Sequence, residues 1–322
     1  MEGTSRRKTS VALLSVISNA ALVLLKLVVG VAIGSISVIS EAIHSAVDLV
    51  AALIALFAVK KSGKPADREH PFGHGKVENI SGAVEATLIL AAAGWIIFEA
   101  VKKLKHPAPL DEPGWGVAVM LFSAVANTVV SQLLFKVGRE TESVALEADA
   151  WHLRTDVYTS AGVMVGLGLI WLGEWAFPGV HFHWIDPVAA IGVALLIVKA
   201  AYDLTIKAAR DLLDESLPAE EIDLIRTHIQ GFTPEVRGFH RLRTRKSGSQ
   251  RFVEFHMLVD AEMSVDRSHE ISDRIIEAIK EHYPEATVTV HIEPCHGDCL
   301  PKCQEECLLN EADRRDARKK HS

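Results

Sequence analysis

Six long apolar stretches dominate the first two thirds of the chain, and a mixed, charged pattern replaces them after residue 206. They cover residues 11–33, 36–59, 80–101, 114–137, 148–171 and 187–206. Each approaches or exceeds the roughly 20 residues an α-helix needs to cross ~30 Å of hydrocarbon. So many runs of that length predict an all-α, six-helix transmembrane domain. Beyond residue 218 the periodicity changes. Ile222, Leu224, Ile225 and Ile229 are spaced as one helix, and residues 264–282 form an amphipathic one stopped by Tyr283-Pro284. Residues 236–245 and 251–260 read as strands joined through Ser247-Gly248-Ser249, and residues 287–292 alternate as a third. The order helix-strand-strand-helix-strand predicts a small α+β sandwich of ferredoxin-like type.

The expected division is an N-terminus over 1–10, the membrane domain over 11–206, a linker over 207–218, the α+β module over 219–294 and a Cys-rich, charged tail over 295–322. Residues 310–322 read as disordered or as a frayed helix. Lys and Arg set the orientation. Arg6, Arg7, Lys8, Lys60, Lys61, Lys64, Arg68, Lys76, Lys136 and Arg139 fall in segments that share one side of the membrane. The opposite loops hold only Lys102, Lys103 and Lys105. Positive residues favour the cytoplasm, which places both termini inside. The first stretch is too long for a signal-peptide core and reads as a span. Short loops favour a bacterial inner membrane. The formal net charge of -7 and the lack of a basic, aromatic patch argue against nucleic acid as a partner.

Within two of the oily stretches the pattern breaks in the same way. His44 and Asp48 stand four residues apart in the second span, and His152 and Asp156 repeat the spacing in the fifth. Ionisable groups inside hydrocarbon cost roughly 2.5–3.5 kcal/mol each on insertion scales, so they face a cavity or a partner and mark an ion path. Positions i and i+4 share a helix face, about 6 Å apart along the axis. Two facing helices can therefore present two imidazoles and two carboxylates to one point, a nitrogen and oxygen set suited to tetrahedral Zn2+. Imidazole titrates near pH 6.5, so protons and metal compete for such a site at physiological pH.

Three further clusters carry metal-binding chemistry. Asp67, His70 and His74 sit in a loop that Pro71, Gly73 and Gly75 can fold back. His240, His256, His269, His291 and Glu293 are spread over the α+β module. All four cysteines, Cys295, Cys299, Cys303 and Cys307, occupy the tail at intervals of four. In a cytoplasmic tail they favour metal or free thiols over disulfides. Pro301 and the drift of i+4 steps oppose one continuous helical site. A folded-back site of all four thiolates, or a pair of sites with two thiolates each, are the arrangements left open.

The run His70-Pro71-Phe72-Gly73-His74-Gly75-Lys76-Val77-Glu78, with the paired His/Asp positions of spans two and five, resembles the cation diffusion facilitators. The resemblance covers nearly the whole chain. It implies a homodimer, embedded in membrane lipid, that moves divalent metal out of the cytosol in exchange for protons. By matching position it implies that His44, Asp48, His152 and Asp156 form the transport site, with Asp67, His70 and His74 as a second site. It further implies regulatory metal at the dimer interface through the histidines of the module, where Glu293 stands in place of an expected Asp. The family pattern links His-Asp on both helices with zinc, and imidazole in place of carboxylate favours borderline over hard metals. Zn2+ is thus expected as substrate and regulatory ligand, with Fe2+, Cd2+, Co2+ and Ni2+ as alternatives. Two readings of other classes compete: a membrane metal-dependent oxidase, which needs more histidine boxes than the single His70/His74 pair, and a metal sensor, which leaves the intramembrane quartet unused.

Overall fold

The computed structural model describes residues 2–34, 36–105, 115–176, 184–297, 303 and 305–320. Two compact units divide the chain, Met1–Arg210 and Asp211–Ser322.

The first unit is helical: α1 (Glu2–Ile33), α2 (Ile36–Ser62), α3 (Lys76–Lys105), α4 (Trp115–Glu140), α5 (Val144–Ala176) and α6 (Ile185–Leu212). Among the described residues, α1, α2, α3, α4 and α6 each hold a segment long and apolar enough to span a membrane. Helix α5 has 33 residues, which at 1.5 Å per residue gives ~50 Å, ample for the same crossing. The bundle turns large apolar side chains outward: Val28, Ile43, Phe57 and Trp95 are each about two-thirds exposed. Only a hydrocarbon solvent makes such a surface stable. Its interior is lined by small residues. Ala12, Ala51, Ala52, Ala55, Ala86, Ala93, Ala145 and Ala148 are buried and let backbones approach closely. Gly82 shows why: a Cβ there would lie 2.7 Å from Val144 Cγ1, so the α3–α5 contact requires glycine.

Helix α5 is the hub of the bundle. Leu146 and Leu153 pack with Leu56, Val59 and Leu134 from α2 and α4, while Val144 and Ala148 pack with Ile89, Ile197 and Leu204 from α3 and α6. One buried carboxylate pins the helix ends together. Glu78 accepts hydrogen bonds from Ser62 at 2.6 Å and from Ser143, and pairs with Lys8 at 3.3 Å. It thereby joins α1, α2, α3 and the start of α5.

The second unit runs α7 (Ala219–Gln230), β1 (Gly238–Ser247), β2 (Gln250–Asp260), α8 (Val265–His282), β3 (Thr287–Cys295) and α9 (Glu311–Lys320). The sheet order is β1-β2-β3, with β1 antiparallel and β3 parallel to β2. A parallel neighbour needs a long crossover, which α8 supplies. Ser264 caps α8 by accepting from Arg267 N at 3.2 Å. Gly248, at φ +59°, makes the tight β1–β2 turn. Ile225, Ile229, Phe239, Phe255, Met257, Ile271, Ile275 and Ile279 form the core between sheet and helices.

One feature departs from the sequence expectation, and another decides between its two readings of the tail. Strand β3 runs on to Cys295, so this cysteine is a buried sheet residue rather than part of a tail. Residues 311–320 are an ordered helix with Ala317 buried. Asn310 caps it, accepting from the amides of Ala312 and Asp313 at 2.9 Å, and Arg318 donates to the carbonyl of Gly297 at 3.1 and 3.2 Å. Before it, the chain pairs with β1: Leu308 N donates to Arg237 O at 3.0 Å.

Candidate metal sites

Helices α2 and α5 bring His44, Asp48, His152 and Asp156 together in a crossed arrangement. His152 Nε2 lies 3.1 Å from Asp48 Oδ1, and His44 Nε2 lies 3.7 Å from Asp156 Oδ1. Each imidazole thus faces the carboxylate of the other helix. Candidate ligand atoms of His44, Asp48 and Asp156 lie within 4.8 Å of one another, the spacing of donors around one ion. Asp48 and His152 are buried, whereas the side chain of His44 is 57% exposed. The quartet is therefore sealed on one side and open on the other. The open side meets a cavity of about 160 Å3 lined by Lys26, Glu41, Ser123, Asn127 and Thr159 besides His44 and Asp156.

Sequence reasoning missed two members of this environment. Asn127 on α4 donates from Nδ2 to Asp156 Oδ2 at 3.4 Å. Lys26, buried on α1, donates to Ser45 Oγ at 2.7 Å and to Glu41 Oε2 at 3.3 Å. Lys26 is the one charged residue of its apolar stretch and Asn127 lies among Ser123, Thr128 and Ser131, signals visible in the sequence but without an ionisable partner at helical spacing. The acids near the quartet also separate in role. Glu147 pairs with Lys207 at 2.7 Å, and Asp149 is fully buried within the bundle. Arg154 does not join the quartet; its guanidinium stacks over Phe135 with Cζ 5.3 Å from the ring centre.

The loop between α2 and α3 closes on itself. Asp67 Oδ1 accepts from the amides of His70 and Glu69 at 2.7 and 3.0 Å, and Gly73 turns the chain at φ +81°. His70 Nδ1 and His74 Nε2 then stand 3.5 and 3.3 Å from the two Asp67 oxygens. The amide of His70, followed by the charge of His74, holds the Asp67 carboxyl below its usual range. Asp67 and His70 are exposed and His74 is buried, so this triad opens to solvent at one side.

In the second unit, register decides the site. His240, His256 and His291 are Cα partners across β1, β2 and β3, so three imidazoles line up in one row of the sheet. A bulge between His240 and Arg243 realigns β1 just beyond that row. Glu293, two residues after His291 and on the same face, lies 2.9 Å from His240 Nε2, 2.7 Å from His256 Nδ1 and 3.5 Å from His291 Nε2. Burial raises its pKa, but the hydrogen bond from His256 and the charge of His240 outweigh this and hold it below the usual value. His269 stands apart on α8, exposed and 3.5 Å from Asp273.

The cysteines do not assemble in the same way. Cys295 and Cys307 are free thiols, and with Cys303 they do not form a three-ligand cluster among the described residues. Cys299 lies outside the described residues. Cys307 sits against β1, bridged to Gly238.

Comparison with known proteins agrees with this architecture. Residues 12–213 match the family model of the cation efflux transmembrane domain, and residues 217–295 match that of the cation efflux protein cytoplasmic domain. Over 291 residues the chain is 36% identical to an uncharacterized transporter of Synechocystis sp., spanning 90% of this chain and 92% of that protein. It is 33% identical over 262 residues to the cation-efflux pump FieF of Citrobacter koseri, spanning 81% and 84%. The metal-bound C-terminal domain of the CzcD transporter from Thermotoga maritima is 30% identical over 24% of this chain and 94% of that one, with a TM-score of 0.22. The chain belongs to the cation diffusion facilitator family: it is a multi-pass membrane transporter for cation efflux, with a C-terminal cytoplasmic domain, and not an enzyme.

Proposed function

We propose that this protein exports Zn2+ from the cytosol in exchange for protons, using His44, Asp48, His152 and Asp156 as the transport site. The observation that carries the reading is the crossed pairing of each imidazole with the other helix's carboxylate. Two carboxylates offset the charge of a divalent ion, and two imidazoles supply the borderline donors that suit zinc over Mg2+ or Ca2+. Fe2+, Cd2+, Co2+ and Ni2+ fit the same donors. With the metal gone, protons take its place between imidazole and carboxylate, so ion release and proton uptake are two halves of one exchange. The half-open geometry supports alternating access: the 160 Å3 cavity offers a way in or out on the His44 side, and buried Asp48 and His152 close the other.

Asp67, His70 and His74 serve in this reading as a capture site on the α2–α3 loop. His240, His256, His291 and Glu293 serve as the regulatory site of a homodimer, where metal replaces histidine–glutamate contacts and draws two cytoplasmic domains together. His269 and the thiolates of Cys295, Cys299, Cys303 and Cys307 are further candidate ligands. Both termini are cytoplasmic and the membrane is a bacterial inner membrane, in line with the Lys and Arg distribution.

The test is Zn2+ uptake into proteoliposomes. Asp48→Ala and Asp156→Ala each abolish flux if the quartet is the transport site. Flux that survives either change assigns transport elsewhere.

A further inference from the structure

A second charged site lies on the outer side of helices α4 and α5. Gln132, Phe135, Lys136, Arg139, Trp151 and Arg154 line an open cavity of about 370 Å3. Its lining holds three cations and no carboxylate. Phe135 and Trp151 form an edge-to-face pair with ring centres 5.2 Å apart, and both Arg139 and Arg154 place Cζ 5.3 Å from the Phe135 ring centre. The nearest acid in sequence, Glu140, is taken by Arg7 of α1 at 2.5 Å. Buried Arg154 Nε has no hydrogen-bond partner among the described residues. Three positive groups, two of them held over the Phe135 ring, without an opposing charge among the described residues are a site waiting for an anion.

The surroundings say which anion. Along α4, Phe122, Val125, Val129 and Leu133 are exposed at helical spacing and lead directly to Lys136. An apolar stripe on a membrane-spanning helix faces acyl chains, and this one ends in the basic cavity. Trp151 beside it is the residue type favoured at the boundary of hydrocarbon and headgroups. Basic pockets between membrane helices bind anionic headgroups, and guanidinium groups match phosphate by paired hydrogen bonds. We propose that this cavity binds the phosphate headgroup of an anionic phospholipid, with one acyl chain along the α4 stripe.

The site has a route to transport. Arg154 lies two residues from both His152 and Asp156, about 200° around the helix from each. A phosphate held by Arg154 on one side and by Lys136 and Arg139 on the other ties α5 to α4 behind the quartet. Asn127 on α4 already meets Asp156 in front of it. Lipid occupancy therefore steadies the α4–α5 pair that carries half of the candidate transport site.

The experiment uses the full chain in neutral detergent, titrated separately with phosphatidylglycerol, phosphatidylcholine and inorganic phosphate, with retained lipid counted by native mass spectrometry. Phosphatidylglycerol is retained in preference to phosphatidylcholine, and excess inorganic phosphate does not displace it. Lys136→Gln, Arg139→Gln and Arg154→Gln each lower retention roughly fivefold, as expected for one cation near an anionic headgroup. Arg139 is exposed near the end of α4, so Arg139→Gln keeps the fold even if Arg154→Gln does not, and Arg139→Lys restores binding. Equal retention of the two lipids, retention unchanged in Arg139→Gln, or displacement by inorganic phosphate overturns the proposal.

Discussion

Replacing Glu78 by Gln probes how the membrane domain holds its helix ends. The Glu78 carboxylate is 1% exposed and gathers Lys8, Ser62 and Ser143 from separate segments. Glutamine keeps the volume and one carbonyl acceptor but removes the charge opposite the buried Lys8 ammonium. Breaking a buried ion pair from one side costs about 3–5 kcal/mol. The lower end applies, because Lys8 keeps a further interaction. For a domain of this size each kcal/mol moves the midpoint by ~2–4 °C, so a loss of about 3 kcal/mol lowers it by ~6–12 °C. The assay is the apparent unfolding temperature in detergent at one fixed scan rate, read by tryptophan fluorescence. Lys8→Met with Glu78→Gln removes both charges, and such a pair is near break-even against apolar replacements. The double variant therefore recovers most of the loss. A Glu78→Gln midpoint within ~2 °C of the wild type, or a double variant no better than the single, refutes the clamp.

Three other outcomes follow from the same contacts. Asn127→Leu removes the donor that orients Asp156 and weakens Zn2+ affinity by ~10–100-fold while leaving the unfolding temperature near that of the wild type, measured by equilibrium dialysis. Gly82→Ala forces a Cβ against Val144 Cγ1 and destabilises the bundle by about 1–3 kcal/mol, read as a lowered midpoint in the same melt. In the metal-free protein the Glu293 carboxyl titrates below its ordinary 4.5, so its contribution to the cytoplasmic domain is complete above that pH and is lost as pH falls through the lowered value. The protection factors of β2 and β3 amides in the full chain, referred to the intrinsic exchange rate at each pH, then fall on acidification below pH 4.5, and Glu293→Gln flattens that dependence.

What could be read from the residues was whatever repeats at a helical or strand period. The membrane helices announce themselves by apolar length, and the His44/Asp48 and His152/Asp156 pairs by their common i, i+4 spacing within it. Asn127 and Lys26 carry no such spacing, because their partners come from other helices and only the packing of α1, α2, α4 and α5 brings them near. The row His240–His256–His291 depends on strand register and on the bulge beyond His240, which alternation alone does not set. The tail reads as disordered or as a frayed helix for a similar reason. Its charged residues look disordered in isolation, but the Asn310 cap and the Gly297 carbonyl hold it in place.

The central claim is tested most directly by recording Zn2+ and protons together. In proteoliposomes carrying one dye for internal zinc and another for internal pH, zinc entry should be matched by proton exit. An imposed proton gradient of the opposite sense should reverse the zinc flux, and Asp156→Ala should silence both signals. Zinc flux that ignores the proton gradient, or that moves no protons, would contradict exchange at the His44, Asp48, His152 and Asp156 site.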